Sequence, residues 1–66
     1  MFVSSAYDDD RCLLYLRFQS GDVYRYFDVS AAQYEAFLEA ESHGRYFLNH
    51  IRNRFRYERL AKLQAA

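Results

Sequence analysis

Apolar and polar positions alternate from Arg11 to Phe18: Cys12, Leu14, Leu16 and Phe18 point one way, Leu13, Tyr15 and Arg17 the other. A period of two predicts a strand with one covered face. Ahead of it, the β-branched and aromatic stretch Phe2 to Tyr7 predicts a short first strand, broken by Asp8-Asp9-Asp10. Gln19-Ser20-Gly21 predicts a hairpin turn, with Gly21 supplying the left-handed conformation. A type I turn with a glycine bulge sets Phe18 opposite Asp22 and places Tyr24 and Tyr26 on the Leu14, Leu16 and Phe18 face. A two-residue loop would slip the register by one and put Arg25 there instead. Burying an unpaired guanidinium is costly, so the first register is expected, with Tyr24 and Tyr26 as core residues.

Beyond Val29 the period changes. Ser30 followed three residues later by Gln33 is a capping-box pattern, and Val29 and Tyr34 are spaced for a hydrophobic staple. Tyr34, Phe37 and Leu38 form a helical stripe that ends at Ser42-His43-Gly44. A second helix is expected from about Arg45 through Tyr57, extending toward Leu63, with Phe47, Leu48, Ile51 and Phe55 on its buried side. The fold class is therefore α+β: a three-stranded antiparallel β-meander followed by two α-helices packed on one face, β-β-β-α-α. The other face stays open, presenting Leu13, Tyr15, Arg17, Val23, Arg25 and Phe27.

Length allows a single domain over residues 1–66, with residues 63–66 frayed. Seven Tyr and six Phe offset the small core and argue against disorder. The single cysteine, Cys12, makes no intramolecular disulfide and no zinc site, and reads as a buried thiol on the core side of the second strand. The opening Met1-Phe2-Val3-Ser4-Ser5 has neither the basic segment nor the apolar core of a signal peptide, and no apolar run is long enough to span a membrane. A reduced, cytoplasmic protein is the expectation. Net charge is zero, but residues 1–44 carry three Arg against eight Asp or Glu, −5, whereas residues 45–66 carry five Arg and Lys62 against Glu58, +5.

The blocks Ala6-Tyr7-Asp8, Leu14-Tyr15-Leu16-Arg17-Phe18, Gly21, Tyr24-Arg25-Tyr26 and Val29 occur in an order that resembles the KTSC domain family. So do Ala40-Glu41-Ser42-His43-Gly44-Arg45-Tyr46-Phe47 and Ile51-Arg52. The family's signature is a central Tyr-x-Tyr, here Tyr24-Arg25-Tyr26, and the resemblance spans roughly residues 3 to 57. Two departures are visible: Ser30 stands where a proline commonly follows the valine, and the usual leading Ser segment is missing. The first is benign, since Ser is a good N-cap. The family takes its name from the C-terminus of some lysyl-tRNA synthetases, a context that implies RNA as a partner.

On a continuous second helix, Arg45, Asn49, Arg52, Arg56 and Arg59 would form one stripe, beside a second of Tyr46, His50, Asn53 and Tyr57. Arginines beside aromatic rings hold phosphates and stack bases. Arg45, Tyr46, Asn49, His50, Arg52, Arg56 and Arg59 are accordingly the candidate nucleic-acid-binding residues. The alternative is a solvated stripe neutralised by Glu35, Glu39 and Glu41 of the first helix. Tyr15, Arg17, Arg25 and Phe27 on the open sheet face form a second candidate surface, suited to a protein partner or a second copy of the chain. No metal-spaced His/Cys set, glycine-rich phosphate loop or nucleophile motif occurs, and Asp8-Asp9-Asp10 lacks the alternating ligands of a calcium loop. The expectation is a binding module, not an enzyme, with no cofactor, no metal, no membrane attachment and no small-molecule substrate.

Overall fold

A computed structural model describes residues 2–62. Four strands form one antiparallel sheet in the order β1-β2-β3-β4: β1 Phe2–Asp8, β2 Leu13–Phe18, β3 Asp22–Tyr26 and β4 Tyr57–Lys62. Between β3 and β4 the chain forms α1, Ala31–Glu39, then α2, His43–Tyr46, which continues as a π-helical turn over Phe47–Ile51. The α+β class stands, but the sheet has a fourth strand where a helix was expected.

The turns follow from their residues. Asp8 Oδ1 accepts hydrogen bonds from the Asp10 and Arg11 amides at 3.1 and 3.3 Å, folding the acidic run into a side-chain-closed turn. At the hairpin, the Gly21 amide donates to the Phe18 carbonyl at 2.9 Å, and Gly21 has φ 93°. Leu14 pairs with Tyr26 and Leu16 with Tyr24, the register that keeps Arg25 off the core face. The Ser30 hydroxyl accepts from the Gln33 amide while the Gln33 side chain accepts from the Ser30 amide, so the capping box forms in full.

The core lies between the sheet and the helices: Leu14, Leu16, Tyr26, Val29, Phe37, Phe47 and Ile51 are buried, ringed by half-buried Phe2, Tyr7, Phe18, Tyr24, Tyr34, Tyr46 and Phe55. Large rings carry much of it. Phe2 meets Phe18, Phe37 and Phe47 edge-on at 5.0 to 5.7 Å, and Tyr7 stacks on Tyr34 at 4.6 Å while its hydroxyl donates to the Val29 carbonyl at 2.6 Å.

Three expectations are corrected. The second helix ends near Ile51 instead of running through Tyr57, so Arg56 and Arg59 are not helical. Glu58, Arg59 and Leu60 are good helix formers, yet a helix there would leave the outer edge of β3 unpaired, and the ladder Asp22–Tyr26 to Tyr57–Lys62 satisfies those groups. Cys12 lies in the β1–β2 turn at φ 56°, half-buried, where its carbonyl accepts from the Val29 amide at 3.0 Å, so it is not a core-facing strand residue. Leu13, placed on the open face, is only 8% exposed. The expected fraying of residues 63–66 lies outside the described residues.

Candidate nucleic-acid interface

β4 converts the helix-bearing side of the sheet into a groove. Tyr57 pairs with Tyr26 across the ladder, so both rings lie on the same face, and the π-helical turn overhangs them. The result is a groove of about 470 Å³ lined by Phe18, Tyr24, Tyr26, Phe47, Leu48, Arg52, Asn53 and Tyr57. Its rings lock one another: Phe18 meets Tyr24 at 5.5 Å, Tyr24 meets Tyr57 at 5.7 Å, and Tyr26 contacts Phe47 and Tyr57 at 5.6 Å each. Tyr26 is buried at the base, whereas Tyr57 on the rim is 56% exposed. Burial pushes the Tyr26 hydroxyl up to about 12, neighbouring Tyr24 and Tyr57 reinforce this, and the Arg52 guanidinium pulls the other way. Arg52 thus adds positive charge within electrostatic reach of the ring cluster. It is exposed and has no carboxylate partner among the described residues.

The seven candidate residues of the expected stripe are dispersed. Arg45, Tyr46, Asn49 and His50 come together in a second groove of about 290 Å³, with Ala40, Glu41 and Ser42, and the Tyr46 and His50 rings lie 4.6 Å apart. Arg52 joins the tyrosine groove. Arg56 crosses to the opposite face of the sheet, where its guanidinium lies 4.5 Å from the centre of the Phe27 ring. Arg59, on β4 opposite Tyr24, lies 3.3 Å from Asp22 Oδ1. The break at the π-helical turn is the cause, since residues beyond it no longer share the helix's periodicity. None of the ion pairs among the described residues involves Glu35, Glu39 or Glu41, although Glu41 lines the same groove as Arg45.

The open sheet face is partly closed by its own charges. Arg25 is hydrogen-bonded to Glu58 on β4 and lies 5.3 Å from the Phe27 ring centre, so Phe27 has a guanidinium from each of two segments over it. Tyr15 is half-buried beside Arg25, and Arg17 is exposed. The hydrophobic pattern marks Phe18, Tyr24 and Tyr26 only as core, and a helical period puts Asn53 and Tyr57 on one stripe. The alternation Phe55-Arg56-Tyr57-Glu58 was the available strand signal. Among the described residues no three His, Cys, Asp or Glu side chains gather as a metal site, and no helix is long and apolar enough to cross a membrane.

The comparisons with known proteins agree with this architecture. The KTSC domain matches residues 1–55. The crystal structure of the KTSC domain protein YPO2434 from Yersinia pestis superposes with a TM-score of 0.87 at 28% identity, covering 91% of this chain and 84% of that one. No curated protein matches the chain.

Proposed function

The chain belongs to the KTSC domain family, and from that premise we propose that it is a non-catalytic binding module that grips single-stranded RNA in the tyrosine groove, in the cytoplasm. The observation that carries this reading is the pairing of a partly exposed aromatic wall, Tyr24 and Tyr57, with Arg52, a cation without an ion pair among the described residues, in one groove. Stacking on aromatic side chains contributes about 1–3 kcal/mol per base and tolerates any base. Arg52 supplies the phosphate contact, and the Asn53 amide offers both a donor and an acceptor to a base edge. The surplus of +5 over residues 45–66 favours a polyanion in this part of the chain.

Fluorescence anisotropy with short labelled RNA oligomers tests the reading. Tyr57→Ala should weaken binding by roughly tenfold or more, the loss of one stacked base. Arg52→Gln should weaken it and reduce the slope of log affinity against log salt by about one, the signature of one lost phosphate contact. Absence of RNA binding by the unmodified protein at low salt would refute the proposal.

A further inference from the structure

The two edges of the sheet are guarded differently. β4 carries Glu58 and Arg59 and is interrupted by a bulge at Leu60, since Val23 pairs with Ala61 but Tyr24 with Arg59. Charges and bulges of this kind keep an edge from pairing with another chain. β1 is the opposite edge. From Phe2 to Tyr7 it has no charged residue and no proline, and Val3, Ser4, Ser5 and Ala6 are all exposed. Its own bulge lies at Val3, which leaves a regular ladder from Ser4 to Asp8 whose outer side pairs with no strand among the described residues.

We infer that β1 is a self-association edge, on which a second copy of the chain pairs antiparallel across a two-fold axis at Ala6. That register uses only the regular part of the strand. It opposes Ala6 with the partner's Ala6, Ser5 with the partner's Tyr7 and Ser4 with the partner's Asp8, so no like charges face each other. Ser4 pairs with Arg17 within one chain. The partner's Asp8, Ser4 and Arg17 therefore form one row across the joined sheets, with only a serine between carboxylate and guanidinium. Arg17 is exposed and has no ion pair among the described residues, and the turn hydrogen bonds of Asp8 engage Oδ1, leaving Oδ2 for it. The two-fold axis forms this row twice. Charge complementarity thus selects a second copy as the occupant. Strand pairing alone buries less than the roughly 1,200 Å² of a stable interface, so the dimer is weak and concentration-dependent.

Sedimentation equilibrium on the unmodified protein, from about ten to several hundred micromolar, reads this directly. A reversible monomer–dimer equilibrium is expected, weakened by added salt. Ala6→Asp and Ala6→Lys each place like charges across the axis at an exposed position, and both should raise the dissociation constant at least tenfold with unchanged thermal stability. Arg17→Glu should raise it severalfold, whereas Phe27→Lys on the open face should leave it unchanged. A monomer throughout, a dimer indifferent to both Ala6 variants, or one dissolved by Phe27→Lys would overturn the assignment.

Discussion

On the helix-bearing face of the sheet, Leu14, Leu16 and Tyr26 disappear beneath Phe37, Phe47 and Ile51, whereas on the opposite face Phe27 is covered by the guanidinium groups of Arg25 and Arg56. That second face is covered by long cationic side chains, whose guanidinium groups lie over the Phe27 ring. The difference separates two kinds of stabilisation: one face by removal of large rings from solvent, the other by adjustable polar cover.

Truncations on the two faces should separate them most strongly. Tyr26→Ala is expected to cost about 4 kcal/mol, as deletion of a buried aromatic does, and Phe27→Ala roughly 1–2 kcal/mol because its site is half open. Chemical denaturation of the two variants checks this, and equal losses would erase the distinction between the faces. Alkali offers the next largest contrast. Tyr26 titrates near 12 in the folded chain and near its ordinary 10 when unfolded, so the native state holds the proton longer. Stability from this group is complete below pH 10 and falls by about 3 kcal/mol as pH rises through 12. Tyr26→Phe should flatten that fall relative to the unmodified protein; an unchanged pH profile would show that Tyr26 is not its source. The smallest effect belongs to the polar face. A double-mutant cycle on Arg25 and Glu58, whose side chains are 29% and 53% exposed, should return a coupling below about 1 kcal/mol that shrinks with salt. A coupling of several kcal/mol would mean that this face is held as rigidly as the core.

What the sequence disclosed follows the same physical divide. The hairpin register was legible because one slip exchanges Tyr24 and Tyr26 for Arg25 in the core, an energetic difference large enough to read from residue types. The cap at Ser30 was legible because its two hydrogen bonds are local. β4 was not, because nothing within Tyr57–Lys62 favours a strand as strongly as the vacant edge of β3 demands one. The candidate site inherited that error. Arg45, Tyr46, Asn49 and His50 stayed together because they precede the end of the helix, and Arg56 and Arg59 were carried away because they follow it. The tyrosine groove itself depends on Tyr26 meeting Tyr57 across 31 positions of sequence, a contact that no local period encodes.

The π-helical turn makes this arrangement sensitive to length. Over Phe47–Ile51 the Arg52 amide donates to the Phe47 carbonyl at 2.8 Å, five residues back where an α-helix would reach back four. Each residue of an α-helix advances the chain by about 100°, so the wider turn changes the direction in which everything after it departs. Arg52 and Asn53 enter the groove, and Tyr57 reaches the β3 edge, from that departure angle. A surface loop absorbs the gain or loss of a residue at little cost. Here a single deletion would re-aim the whole C-terminal limb while leaving every side chain of the groove present in the sequence. In this segment the count of residues carries structural information that their identities do not.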